Sequence, residues 1–358
     1  MAIDSSAANA TDRAWVDISL GALAANARRV ADVSRARLLP MVKANGYGLG
    51  AVLVARALEP LEPWGYGVAT PEEGAELRAA GIERRILLTT PAPPGWFPAL
   101  RRDAVTPVLG DVAALAAWIA ANPDRPFHVG IDTGMSRAGL SHDDRAMLDA
   151  ARALLSGATG YEGACTHFHS AEEDAAATGA QWERFGQAIA ALGPRPPMVH
   201  AANSAAALQG TRYAGDLVRP GIFLYGGRAG ARDPEPVAAL RGRVIAIRRI
   251  TAGASVSYGS TWRAPGPTTI ATVALGYADG LLRSLGNRGV AELNGRRVPI
   301  RGSVTMDMTM LEAGDDVRPG DVATFYGGAV TLDEQAAAAG SVSYELLTAL
   351  GRRVERRC

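Results

Sequence analysis

L-L-P-M-V-K-A-N-G-Y-G, residues 38–48, starts as an apolar run and breaks at a lysine that is followed by two glycines within five residues. Residues 38–42 have the length and bulk of a buried strand, and the glycines mark a turn at its carboxyl end. Working outward, the same grammar recurs. Short β-rich runs at 64–69, 85–89, 104–109, 127–132, 161–166, 198–202 and 216–219 alternate with helical patterns at 72–80, 112–121, 143–155 and 181–192. Eight strand–helix units in series predict a closed (β/α)8 barrel, of the TIM-like kind, over residues 13–235. The rival is an open doubly wound sheet. No G-x-G-x-x-G follows the first strand, which counts against its dinucleotide-binding form.

Past residue 235 the texture changes. Runs at 243–250, 269–275, 290–293 and 322–325 are β-branched or alternating, with turn signals at Asn294-Gly295 and Pro319-Gly320. Helical pattern returns only at 332–339 and 344–351. Residues 236–358 therefore read as a mostly β domain, joined through a Gly/Arg/Pro-rich linker at 228–235.

Lys43 is the single lysine among 37 basic residues. Arginine replaces lysine freely as a surface cation, so a drift toward arginine removes most lysines. It cannot replace an amine that must lose its proton and attack a carbonyl. The bland alternative is a chance survivor. Position weighs against it, because reacting groups of such barrels sit at the carboxyl ends of strands. There too lie Arg137, His167, Asn203, Ser204 and Arg219. The loops after strands seven and eight are the usual phosphate site of these barrels, and Ser204 and Gly221 suit one.

The formal net charge is +1, without a basic block or acidic tail, so nucleic acid and anionic membranes are not expected partners. The longest apolar runs, such as 112–121, are too short to span a bilayer. The first fifteen residues lack the basic start and apolar stretch of a signal peptide, and two cysteines make no disulfide framework. The expectation is a cytoplasmic enzyme.

The motifs M-V-K-A-N-G-Y-G, D-T-G-M-S-R, T-H-F-H-S-A, H-A-A-N-S-A-A, V-R-P-G-I, G-Y-A-D-G and the M-D of V-T-M-D-M occur in that order. Together they resemble the alanine racemase family over nearly the whole chain, from about Trp15 to Tyr344. The resemblance implies a pyridoxal-phosphate barrel with a β domain, paired head to tail as a homodimer whose active sites are shared. It implies interconversion of L- and D-alanine, a small amino-acid substrate, and a supply of D-alanine for peptidoglycan. Lys43 would carry the cofactor as a Schiff base and act as base on one face of the substrate. Tyr277 of the partner subunit would act on the other. Tyr47, Asn203, Ser204, Gly221 and Ile222 would surround the cofactor, the phosphate meeting Tyr47, Ser204 and the Gly221 and Ile222 amides. Arg219 would face the ring nitrogen and keep it unprotonated. His167 would be a cationic or hydrogen-bonding neighbour of Tyr277, while Arg137 and the Met306 amide would take the substrate carboxylate.

Other residues read as structural. His167 and His169 form H-x-H, but no cysteine or carboxylate cluster joins them, and no metal is expected. Asp132 and Asp279 read as turn acceptors, His200 as an orienter of Arg219, and Cys165 as a small packed hydrophobe. The pattern departs from the family at Gly130, where many members carry a carbamylated lysine that steadies the carboxylate-binding arginine. It departs also at Thr305, often a cysteine, and near the C-terminus. There some members place a tyrosine against the phosphate. The alignment puts Arg352 near that place, Tyr344 is the remaining tail tyrosine, and neither is assigned. A broader racemase acting on serine shares these motifs, as does a catabolic isoform. A basic-amino-acid decarboxylase should add a cysteine and acidic residues, and a non-catalytic cofactor carrier would lack the β domain.

Overall fold

The computed structural model describes residues 12–358. The stretch read for a leader therefore lies, up to residue 11, outside the described residues. β1 (Ala14–Ile18) opens the described chain, and the eight barrel runs follow. They are β2 (Arg37–Leu38), β3 (Gly65–Val68), β4 (Arg85–Pro91), β5 (Val105–Leu109), β6 (Phe127–Asp132, with the short β7, Leu140–Ser141, beside it), β8 (Tyr161–Cys165), β9 (Met198–His200) and β10 (Leu217–Val218). Six of them form one parallel sheet in the order β3-β4-β5-β6-β8-β9, and β2 pairs with β10.

Hydrogen bonds outside the regular ladders curl the ring shut. The Trp64 amide donates to the Leu38 carbonyl (2.8 Å) and the Gly67 amide to that of Pro40 (2.9 Å). On the other flank the Asp216 amide reaches the Val199 carbonyl (2.8 Å) and the Arg219 amide that of Ala202 (2.9 Å). Pro40 interrupts the first run because it has no N–H to give, so only two of its residues pair regularly. Inside the ring, Leu39, Trp64, Leu87, Val108, Met198 and Leu217 form one buried apolar cluster with Cys165 packed against it. These residues come from six barrel segments, so the interior is a filled core rather than a channel.

The helices follow their caps. Asp144 and Asp174 accept the amides of Met147 and Ala177 and so open Arg145–Leu155 and Ala175–Leu192. The second therefore begins six residues before the expected start.

The β-rich part carries β11 (Ala238–Ile250), β12 (Ser255–Val256), β13 (Trp262–Arg263), β14 (Thr268–Val273), β15 (Val290–Leu293), β16 (Arg296–Pro299), β17 (Thr309–Ala313), β18 (Val322–Tyr326) and β19 (Glu355–Arg357). Asn294 and Gly295, both at positive φ, make the tight turn between β15 and β16. β1 belongs to this sheet, antiparallel to β11 and parallel to β19. The chain thus lays a strand of the second sheet before it builds the barrel. One apolar core runs through both parts. Among the described residues no helix is long and apolar enough to cross a membrane.

Candidate active site

Lys43 ends the first barrel run and enters an unusual turn. Ala44, Asn45 and Gly46 have φ of 53°, 55° and 58°, and Tyr47 follows at 53°. Four successive left-handed residues, three of them not glycine, cost roughly 1–2 kcal/mol at each non-glycine position. The surrounding structure must hold such a turn. The turn buries Tyr47, whose ring stacks on Tyr225 at 4.3 Å.

The Lys43 amine is half-buried. Burial pushes its pKa down, Arg137 and Arg219 push the same way, and Glu73 pulls it partly back. The net effect favours a neutral amine, the form a nucleophile or base needs.

Close enough to act on the amine's charge lies a buried polar layer built on Arg219. Its Nη2 donates to the carbonyls of Thr166 (2.7 Å) and Ala201 (2.9 Å), and its Nη1 donates to that of His200 (3.0 Å). Nη1 also donates to His200 Nδ1 (2.8 Å), and Nη2 to His167 Nδ1 (3.2 Å). Guanidinium has no acceptor, so both imidazoles accept at Nδ1 and carry their proton on Nε2. The His200 Nε2–H then donates to His128 Nδ1 (2.8 Å), which leaves the His128 Nε2–H facing Glu162 across a long 3.4 Å contact. Burial, then the charge of Arg219, takes the His167 pKa down to about 3. Of the two roles expected for His167, this burial favours the neutral hydrogen-bonding one, with the proton on Nε2.

Asn203 caps the short helix Ser204–Ala207 by accepting the Ala206 amide (3.0 Å). The Ser204 hydroxyl accepts the Gly221 amide at 2.9 Å, and Ile222 comes next in the same buried segment. A Cβ at Gly221 would run into the Tyr47 hydroxyl. Tyr47, Ser204, Gly221 and Ile222 thus meet in one buried group of hydroxyl and amide donors, with the Tyr47 hydroxyl set against Gly221.

Arg137 stands exposed at the rim. Asp132 fixes its backbone: one oxygen accepts the amides of Gly134, Met135 and Ser136 (2.8–3.1 Å), and the other accepts that of Arg137 (3.0 Å). Burial works against this carboxylate, but the four amides outweigh it and hold its pKa below the usual range. Gly130 leaves no side chain beneath the arginine, and a Cβ there would meet Val108. Among the described residues no hydrogen bond or ion pair holds the Arg137 guanidinium.

Tyr277 and Met306 lie apart from this group, on the β-rich part, and are 42% and 53% exposed. Their loops are laced together. The Tyr277 amide donates to the Thr305 carbonyl (2.9 Å) and that of Ala278 to the Met306 carbonyl (3.0 Å). Fully buried Asp279 accepts the Gly276 amide (2.9 Å), Arg13 (2.6 and 2.9 Å) and Arg353 (3.1 Å). Arg353 also reaches Asp307 at 2.8 Å. Among the described residues no hydrogen bond, ion pair or ring contact joins Tyr277 or Met306 to the barrel group. Within one chain the expected site residues form two clusters rather than one.

Three features escaped the reading of the sequence. Tyr344, left unassigned, lies beside Tyr47 with ring centroids 6.0 Å apart, while Arg352 is exposed. Glu73 and Arg353 were not considered at all. The T-P-E-E run does carry a capping-box signal for Glu73. His169 bonds Ser170 (2.7 Å), and no group of three or more His, Cys, Asp or Glu among the described residues could hold a metal.

A half-buried amine at the carboxyl end of a barrel strand, lowered in pKa by burial and by a buried guanidinium and four residues before Tyr47 in a group of hydroxyl and amide donors, is the arrangement of a carbonyl-cofactor enzyme of the barrel type. Comparison with known proteins narrows the class. The family models described as "Alanine racemase, N-terminal domain" and "Alanine racemase, C-terminal domain" match residues 18–229 and 237–358. An alanine racemase of Acidiphilium cryptum is 41% identical over 95% of this chain and 97% of its own. One from Methylobacterium sp. is 38% identical over 96% and 97%. A crystal structure of the Bartonella henselae alanine racemase, with covalently bound pyridoxal phosphate, superposes with a TM-score of 0.90 at 30% identity, covering 96% of this chain and 99% of that one. The chain belongs to the alanine racemase family.

Proposed function

We propose that this protein interconverts L- and D-alanine with pyridoxal phosphate held on Lys43. The observation that carries the reading is the pairing of two incomplete clusters. One is a barrel mouth with a neutral-leaning amine, and the other is an exposed tyrosine and methionine whose side chains make no hydrogen bond or ring contact among the described residues. A head-to-tail homodimer would set the second cluster of each chain over the first of the other.

These residues suit the cofactor phosphate: glycine at 221 leaves room for the Tyr47 hydroxyl, and the Tyr47 and Ser204 hydroxyls would join the Gly221 and Ile222 amides as its donors. When bound, pyridoxal phosphate supplies electron withdrawal that acidifies the substrate Cα–H. Arg219 would meet the ring nitrogen and, unable to give up a proton, would keep that withdrawal moderate, which favours prompt proton return. Lys43 moves the proton on one face of Cα and Tyr277 of the partner subunit on the other. The His167 Nε2–H is the donor available to that tyrosine. Arg137 and the Met306 amide of the partner subunit orient the carboxylate. The enzyme works in the cytoplasm and supplies D-alanine for peptidoglycan.

Borohydride reduction of the cofactor-loaded protein, followed by peptide mapping, tests the attachment. With one lysine in the chain, the label should fall on the peptide containing Lys43. A loaded protein that takes no label there contradicts the assignment.

A further inference from the structure

We propose that Glu73 is a positioning residue for Lys43, its carboxylate holding shut the left-handed turn that aims the amine. Glu73 lies in the first turn of the barrel helix Pro71–Ala79 and forms a capping box with Thr70. That role needs only one carboxylate oxygen. Oε2 accepts the amides of Ala69 (2.7 Å) and Thr70 (3.3 Å), while Oε1 turns away from the helix and accepts the Ala44 amide at 2.6 Å. Ala44 follows Lys43 directly and is the first of the four left-handed residues. Neither alanine nor tyrosine favours that conformation, so the turn persists only where outside groups fix it.

Other ties grip the far end of the turn. Asn45 Oδ1 accepts the Ala51 amide (3.1 Å), and Arg356 donates to the Gly48 carbonyl (3.0 and 3.1 Å). At the lysine end, Glu73 supplies the ionised acceptor, which makes the stronger kind of hydrogen bond. The same carboxylate is the one charge beside Lys43 that draws its pKa upward, against burial, Arg137 and Arg219. A single side chain thereby couples a barrel helix cap to the direction and charge of the lysine.

The inference rests on Lys43 as the cofactor-bearing amine. Borohydride labelling of the wild-type chain checks that separately, so a failure there is distinguishable from a failure here. The test compares Glu73→Met, Glu73→Gln and Thr70→Ala in the full-length protein. Each is read by equilibrium titration with pyridoxal phosphate, by borohydride trapping at Lys43 and by thermal melting. Thr70→Ala removes the other half of the capping box but leaves the Ala44 tether, so it should lower the melting temperature and bind cofactor as the wild type does. Glu73→Met should weaken cofactor binding by about ten- to a hundredfold, as expected of a misplaced reacting group. Glu73→Gln offers one oxygen where Glu73 offers two, setting its NH2 against amide N–H groups on the other side, and should recover only part of that loss. Adding Ala44→Gly to Glu73→Met makes the left-handed turn less costly and should recover part of it. Cofactor binding in Glu73→Met no weaker than in Thr70→Ala would overturn the proposal. Should Glu73→Met fail to fold, hydrogen exchange on the wild type decides. The Ala44 amide, on an exposed residue, should exchange slowly, and fast exchange overturns the proposal.

Discussion

Arg219 donates to Nδ1 of His200 across 2.8 Å, deep inside the barrel, and this contact sets the protonation of everything behind it. His200 must then carry its proton on Nε2 and pass it as a hydrogen bond to His128. Burial holds the pKa of both rings down, further lowered by Arg219, and Glu162 only partly opposes this at His128. His167, also against Arg219, falls to about 3.

These neutral histidines make folding acid-sensitive. In the unfolded chain a histidine takes up a proton near pH 6.5, at about the usual value. The folded pKa values lie below that, so the unfolded state binds more protons between about pH 6.5 and 3. The stability they contribute is full above pH 6.5 and is lost as pH falls toward the folded values. His167 alone gives a slope approaching about 1.4 kcal/mol per pH unit near pH 5, and His200 and His128 add to it in the same direction. Urea unfolding at pH 7, 6 and 5 should show the midpoint dropping steadily. A flat midpoint would contradict neutral histidines in the core.

Gly221→Ala sends a methyl group against the Tyr47 hydroxyl, where the cofactor phosphate is proposed to sit. Overpacking of this kind costs about 1–3 kcal/mol. Titration of the apoprotein should show cofactor affinity reduced by about tenfold or more, with the fold retained by circular dichroism.

Arg353 ties the Tyr277 loop to the Met306 loop through Asp279 and Asp307. It touches nothing in the barrel cluster. Arg353→Ala should therefore lower kcat by about tenfold through misplacement of Tyr277 while leaving cofactor affinity unchanged. Steady-state kinetics and cofactor titration on the same preparation separate the two effects.

Much of this was legible in the sequence, and the parts that were not share a physical reason. The barrel runs could be found because each is a local burst of apolar residues and several lead to a helix with a clear cap, such as Asp111, Asp144 and Asp174. β1 could not be assigned to its sheet, since its partner Ala238–Ile250 lies more than two hundred residues away. β19 is Glu-Arg-Arg, without apolar alternation, and pairs only because β1 offers it an edge. Within the site, Lys43 and Arg219 were readable from residue type and strand position. The left-handed turn after Lys43 was not, because only Gly46 among its four residues favours it. Tyr344 was obscured because its approach to Tyr47 depends on how the helix Ser343–Thr348 packs, not on distance from the C-terminus. The Arg353 link joins residues 46 and 74 positions apart, which no local pattern announces.

A shared active site predicts complementation. Lys43→Ala and Tyr277→Phe subunits should each be inactive or nearly so. Dissociated, mixed in equal amounts and reassociated, they form hybrid dimers in which one site has both native residues. Random pairing should restore about a quarter of wild-type activity. No recovery in verified hybrids would mean that Lys43 and Tyr277 do not meet across subunits.

The central claim is tested most directly by the fate of L-alanine. The purified protein, loaded with pyridoxal phosphate, is incubated with L-alanine or D-alanine in separate vessels, and each is sampled by chiral chromatography. The two enantiomers have equal free energies in solution, so both vessels should converge on an equal mixture. A loaded protein that forms no D-alanine from L-alanine would contradict the account.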